Sequence, residues 1–419
     1  MAVASDEKSI QRTHAGAQGS QRSRQTDEPV IVKTKKLMAG TEGAVSLAQG
    51  IVHWQPPEGA LDRAAAALRS PGSSSYGPDE GNPELRQALR AKLNQENSLP
   101  GYDVHVTAGA NQAFANVVLA LLDPEDACIL FAPYYFNHMM ALQLSGGAKN
   151  VVTGRCHPTS WHPDLDWLQA ALASPNPPRM VVITNPCNPT GVLMTRSELE
   201  RASQLCRDAG AWLVMDNTYE HFVYDGREHI CIAGPHILHI FSFSKAFGMM
   251  GWRVGYLAFP EDSGVGLELL KAQDTIPICA PQLSQQVALG ALEAGRPWVQ
   301  ERLASVINNR NRLLEALSPL GKPGDGIGGG EGAIYLWARL PQGCQNDDQV
   351  VEWLVKEHGV CVIPGSSCGV PGYIRVAFAN LEEAACQKAA DRLKAGLQQL
   401  VSEGMSAVTA AAPKLATVS

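Results

Sequence analysis

The sequence predicts an α/β fold: a mainly parallel sheet covered on both faces, in a large domain joined to a smaller α+β module. Three observations carry that prediction. Short apolar runs alternate with helical segments through the middle of the chain. The character of the sequence changes near residue 300. The 419 residues are also too many for one hydrophobic core of ordinary size.

Residues 1–27 are polar, rich in Ser, Gln and Arg, and lack apolar periodicity, so they read as a disordered arm. The Ser and Arg content also suits an organelle transit peptide, although Asp6 and Glu7 argue against one. The runs "ACILFAP", "MVVITNP", "WLVMDN", "ILHIFSFS" and "VGYLAF" are strand-like. Between the second and third, Thr195 and Glu198 form a capping box at a helix start. Leu199, Ala202, Cys206 and Ala209 follow at helical spacing, and Gly210 ends the helix. The next strand begins at once. Strand, helix, strand in repetition means a sheet buried on both faces. Beyond residue 300 come a charged helix, a glycine-rich loop, "GAIYLWARL", a helix, "GVCVIPG", "YIRVAFA" and a last helix. The loop "GDGIGGGEG" precedes a strand instead of opening a helix, so it lacks the context of a phosphate-binding fingerprint.

Composition removes several classes of function. A net charge of -7 argues against nucleic-acid or anionic-membrane partners. The longest apolar runs fall far short of a membrane span. The ten cysteines include no CxxC pair and read as packed, reduced thiols of a cytoplasmic protein. "HPTSWHP", with its prolines and no further ligands nearby, reads as a surface loop and not a metal site; no metal is expected.

In an open α/β sheet, ligands sit beyond the carboxyl ends of the strands. "VTAGANQAF" runs from a strand through Gly109 and Ala110 into a helix, whose free N–H groups suit a phosphate. Asn185 and Asn188 follow a second strand, Asp216 and Tyr219 a third, and Ser242, Ser244 and Lys245 a fourth. A phosphate nest, an acid, a tyrosine and a lysine would converge on one crevice. Pyridoxal phosphate needs partners for its phosphate, ring nitrogen, phenolic oxygen and aldehyde, and these residues would supply them.

"NPCNPTG", "DNTYE" and "SFSKAFGMMGWRVGY", in this order, resemble the fold-type I aminotransferases of the aspartate aminotransferase superfamily, class I/II, over roughly residues 40–400. "SLAQGIVHWQPP", "SSYGPDEG", "PYYFN", "QDTIPICA" and "GGEGAIYLWA" look like the plant-type aromatic aminotransferases. The resemblance implies a seven-stranded, mainly parallel sheet in a cofactor-binding domain over 66–299. It also implies a segment 28–65 joining a small domain over 300–403, and a flexible tail over 404–419. It implies pyridoxal 5'-phosphate, a homodimer with shared sites, and a ping-pong Schiff-base reaction. The substrates would be methionine or aromatic amino acids and 2-oxo acids such as indole-3-pyruvate or phenylpyruvate.

Carried over by position, Lys245 resembles the cofactor-linking lysine and general acid/base, and Asp216 the acid on the ring nitrogen. Tyr219 and Asn188 match donors to the phenolic oxygen. Gly109, Ala110, Asn111, Ser242, Ser244 and Arg253 fall at cofactor positions, mostly around the phosphate, and Tyr135 where a ring stacks. Tyr76 resembles the tyrosine that reaches the neighbouring subunit's phosphate. Arg375 matches the α-carboxylate clamp, with Gly50 and Trp54 as further substrate contacts. Many relatives carry serine at Ala110, and some carry a histidine at His138 that touches the acid. The segments expected to line the side-chain end offer Ile51, Trp54, Tyr135, Phe136 and Ile278, with polar tips at Tyr135 and His53, and no second cation. A C–S β-lyase on the same fold shares Lys245 and Asp216. A regulator is disfavoured by the lack of a helix-turn-helix or basic patch, and a nicotinamide enzyme by the lack of GxGxxG.

Overall fold

The structure is a computed structural model that describes residues 19–146 and 150–411. Its large sheet has seven strands: β1 (Tyr102–Thr107), β2 (Cys128–Phe131), β3 (Val151–Gly154), β4 (Met180–Thr184), β5 (Trp212–Asp216), β6 (Ile237–Ser242) and β7 (Gly255–Pro260). Their order is β1-β7-β6-β5-β4-β2-β3. The expected parallel sheet is partly mixed, because β7 runs antiparallel to both of its neighbours, β1 and β6. The other pairings are parallel.

Alternate residues of the central strands feed opposite layers, as the period of two requires. Val182, Val214 and Leu238 pack with Ala113, Phe114 and Val117 of helix α1 (Ala110–Leu121). Val181, Ile183, Leu213 and Met215 pack with Leu199, Ala202 and Cys206 of helix α2 (Arg196–Asp208), whose capping box at Thr195 and Glu198 is formed. Each large apolar side chain so buried contributes roughly 1.5–3 kcal/mol. Register then aligns the strand ends: Thr184 lies beside Asp216, and Asp216 beside Ile240. The catalytic candidates therefore emerge side by side at one edge.

A second sheet holds β8 (Lys322–Pro323), β9 (Gly326–Gly329), β10 (Tyr335–Arg339), β11 (Ile363–Pro364) and β12 (Tyr373–Ala377), in the order β11-β12-β10-β9-β8. The glycine-rich segment read as a loop thus contains strand β9. A long helix, Gln282–Ala316, bridges the two parts and kinks at Gly295, just before Pro297. Its first half meets Ala60 through Gly290, and its second half bonds Leu381 and Glu383 through Asn309 and Asn308.

Two expectations at the ends need correction. The segment from Gly404 is not all loose: Met405–Ala411 is a helix with Ala407 and Val408 buried. Within the polar arm, Gln21–Gln25 is helical, and Asp27 exchanges two hydrogen bonds of 3.0 Å with Gln143. Residues 1–18, and the transit-peptide reading with them, lie outside the described residues. Among the described residues no helix is long and apolar enough to cross a membrane, and no cluster of three metal-ligating side chains forms.

Candidate active site

A cavity of about 340 Å³ opens at the carboxyl ends of β4, β5 and β6. Lys245 reaches it from the turn after β6, and Asp216 ends β5. Asn188 enters from the loop after β4, and Arg375 from β12 of the small sheet. Lys245 faces the cavity but is otherwise enclosed by protein. Burial lowers its pKa to about 8, with Arg253 and Arg375 adding to the effect and Asp216 opposing it. Its amine is therefore uncharged at far milder pH than that of an ordinary lysine.

Asp216 is held ionised. Burial alone would raise its pKa, but the hydrogen bond and charge of His138 and two bonds from Thr218 outweigh that and lower it. His138 Nε2 lies 3.1 Å from Oδ2; the Thr218 N–H and hydroxyl donate to Oδ1 at 3.0 and 2.6 Å. The bond from a backbone two residues on is an Asx turn, a signal that "DNT" already carried.

At the opposite end, Ala110 opens helix α1, whose first N–H groups have no partner within the helix. Gly109 precedes it with φ 91°, and a Cβ there would run into the Arg253 guanidinium. Glycine is what lets that cation lie against the helix start. Ser242, Ser244, Asn111 and Arg253 complete this end. The Ser242 hydroxyl accepts the Ser244 N–H at 3.1 Å.

Arg375 is fully buried, and its Nη1 donates to Asn188 Oδ1 at 2.8 Å and its Nη2 to the Ala48 carbonyl at 2.7 Å. A guanidinium has five N–H donors. Its Nε is buried and has no protein partner among the described residues. Because Asn188 accepts with Oδ1, its Nδ2 donors are what it can offer the cavity. Tyr135 lies on the wall, and its hydroxyl accepts from Asn137 Nδ2 at 2.9 Å.

Several sequence candidates lie elsewhere. Trp54 is buried outside the cavity; its Nε1 donates to the Ala246 carbonyl at 3.2 Å, so it backs the Lys245 turn and does not line the cavity. Ile278 is exposed and outside the cavity, as is Tyr76, which is 81% exposed. His53 bonds the Ala379 carbonyl, and Asn185 Oδ1 accepts the Met194 N–H. Gly50 does line the cavity, as do Ile51 and Phe136. Sequence reasoning missed Tyr335, Thr218, Asn137, Ile31 and Met250, which also line it.

The geometry agrees with the comparisons. Residues 42–393 match the family of class I and II aminotransferases. The chain belongs to that family. This aminotransferase is 50% identical over 388 residues to aromatic aminotransferase ISS1 of Arabidopsis thaliana, covering 92% of this chain and 98% of that protein. It is 31% identical over 367 residues to the aspartate/prephenate aminotransferase of Thermus thermophilus, covering 84% and 92%. Among solved structures, Thermus thermophilus aspartate aminotransferase with maleate matches with a TM-score of 0.81 at 29% identity, covering 91% of this chain and 100% of that one. The aromatic aminotransferase from Pyrococcus horikoshii matches at 0.77 and 27%, covering 87% and 99%. The chain is thus a pyridoxal-phosphate aminotransferase of fold-type I.

Proposed function

We propose that this enzyme moves an amino group between an aromatic or apolar amino acid, methionine included, and a 2-oxo acid of the indole-3-pyruvate or phenylpyruvate type. One observation carries this reading. The cations on the cavity are Lys245, Arg253 and Arg375. Lys245 sits by the acid, Arg253 at the helix start, and Arg375 is the carboxylate clamp. Among the described residues none is left for a second carboxylate. The uncharged wall is instead Ile31, Ile51, Tyr135, Phe136 and Met250, with the polar Gln49 and Asn137 beside them. Burying an aromatic or thioether side chain there contributes roughly 1.5–3 kcal/mol. The aromatic aminotransferase of Arabidopsis at 50% identity supports the same choice.

The residues present fit pyridoxal phosphate: the α1 start with Arg253 suits its phosphate, Asp216 its ring nitrogen, Tyr219 and Asn188 its phenolic oxygen. Bound there, that group would supply an electron-accepting ring and an aldehyde that bonds amines. The protein supplies the rest. Lys245 Nζ, with its lowered pKa, takes the proton from the substrate α-carbon and would deliver it to the carbon that carried the aldehyde, the shift that amino-group transfer needs. Asp216, kept ionised, favours positive charge opposite it. Arg375 orients the substrate through its carboxylate. The active unit we propose is a homodimer, because Tyr76 presents a large ring to the surface and has no role within its own chain's cavity.

The test is kcat/KM for methionine, phenylalanine, tryptophan, aspartate and glutamate with one acceptor, repeated with indole-3-pyruvate and phenylpyruvate. Apolar donors should lead by one to two orders of magnitude, the ratio that roughly 1.5–3 kcal/mol gives. Aspartate or glutamate ahead of every apolar donor would defeat the substrate reading. Sedimentation showing active monomers would defeat the dimer.

A further inference from the structure

Tyr335 comes from β10 of the small sheet, 116 residues from Tyr219, yet the two hydroxyls meet at 2.5 Å. Both rings are buried, 5.5 Å apart and nearly perpendicular. Arg375 lies over the Tyr335 ring at 4.3 Å. Gly50 faces the same hydroxyl, and a Cβ at that position would collide with it. So the chain gives up a side chain at residue 50 to make room for one oxygen atom.

Proton counting gives this contact a direction. A tyrosine hydroxyl has one proton to donate and can accept others. Within the pair, either oxygen could be the donor. If Tyr219 donates to Tyr335, it has nothing to give the cavity. If Tyr335 donates to Tyr219, the Tyr219 proton is turned outward. The nearby Arg375 cation favours the second arrangement, since positive charge beside the Tyr335 ring makes its hydroxyl the better donor. Donation into an oxygen also strengthens the bond that oxygen's own proton makes.

We propose that Tyr335 is a positioning residue that fixes Tyr219 as a donor into the cavity and strengthens that donation. The inference rests on the aminotransferase reading, with Tyr219 facing the phenolic oxygen of the bound cofactor. Tyr335 also lines the cavity, but in this role it acts through Tyr219.

The test uses purified holoenzyme and the pH midpoint of the visible absorbance change of the lysine-linked cofactor. A donor on the phenolic oxygen stabilises its negative charge, which is least compensated after the neighbouring nitrogen has lost its proton. Weaker donation therefore raises the midpoint. Tyr335→Phe keeps the ring and its packing under Arg375 and removes only the oxygen. It should raise the midpoint by roughly 0.3–1 pH unit, and Tyr219→Phe should raise it further. In the Tyr219→Phe background, adding Tyr335→Phe should move it no more. An unshifted midpoint in Tyr335→Phe, or additive shifts in the double variant, overturns the inference. If Tyr335→Phe does not fold, Gly50→Ala, which crowds the hydroxyl away, should give the same upward shift, and no shift overturns the inference. A wild-type protein with no lysine-linked cofactor band overturns the underlying reading as well, so the two failures are distinguishable.

Discussion

Asp216 and Glu220 stand four residues apart on one segment, and both are buried carboxylates that their surroundings keep ionised. They differ in what completes them. Glu220 receives Lys92 Nζ on both oxygens at 2.8 and 2.9 Å and Asn97 Nδ2 at 2.8 Å, with His221 Nε2 at 3.5 Å. Asp216 receives Thr218 twice on Oδ1, but on Oδ2 only His138. A carboxylate has about four acceptor positions. Glu220 is filled from within the fold, whereas Asp216 keeps an acceptor position on the cavity. Burial and charge alone do not mark a functional acid; an unfilled position facing a cavity does.

The sharpest test of the cavity side is Lys245→Ala. It should leave a folded protein whose turnover falls by roughly three or more orders of magnitude. Borohydride reduction of wild type, followed by peptide mapping, should find the cofactor on Lys245. Labelling of another lysine would remove the centre from which the whole site is read.

The sealed side should show itself through acid. Burial lowers the pKa values of His221 and His229 to about 4 and of His239 to about 3, against an ordinary 6.5. The unfolded chain then binds more protons than the folded one between pH 6.5 and about 4, so stability falls as pH drops through that window. Each histidine contributes a slope of up to about 1.4 kcal/mol per pH unit. Glu220, held down to about 2 against burial by Lys92 and the neighbouring histidines, adds a further loss only below about pH 4.5. Urea midpoints should therefore decline from pH 7 to pH 5. A flat profile would mean that these histidines are not buried neutral.

Removing the cation from the sealed pair should come next. Lys92→Met leaves Glu220 charged and buried, which costs about 3–5 kcal/mol of stability. Activity per folded molecule should stay near wild type, because neither residue lines the cavity. Asp216→Asn should do the reverse. Folding should be little changed, while turnover falls by one to two orders of magnitude, from the loss of a charge-assisted bond worth roughly 1.5–3 kcal/mol. If Lys92→Met lost turnover while Asp216→Asn lost stability, the assignment of the two carboxylates would be reversed.

The cavity side was largely legible in the sequence because its parts are local. Lys245, Asp216 and Asn188 each follow an apolar run that ends in a turn, and Gly109 marks a tight approach to a helix. Contacts that join distant segments left no such mark. Tyr335 reads as a strand residue until β10 is brought against the Tyr219 loop. Trp54 and Ile278 belong to segments that the family resemblance assigns to the wall, but a segment's position does not fix which way a ring or chain turns. The antiparallel β7 was likewise hidden, since a strand buried on both faces has the same composition in either direction. The helix Met405–Ala411 depends on only two buried residues, Ala407 and Val408, too few to give a period.

The smallest expected effect concerns the helix Val30–Ala39, which brings Ile31 to the cavity. Two things could hold it. One is the ion pair between Lys33 Nζ and Asp348 Oδ1 at 2.6 Å, whose side chains are 54% and 45% exposed. The other is the burial of Val30 and Thr34. An exposed pair contributes only about 0.2–1 kcal/mol, and salt screens it. Losing two buried methylene equivalents in Val30→Ala costs roughly 1.6 kcal/mol. Asp348→Asn should therefore shift the urea midpoint less than Val30→Ala, and the difference from wild type should vanish in high salt. Only Val30→Ala should raise KM for an aromatic donor, since it loosens the helix that carries Ile31. A larger loss from Asp348→Asn would mean that charge, not packing, holds this wall of the cavity in place.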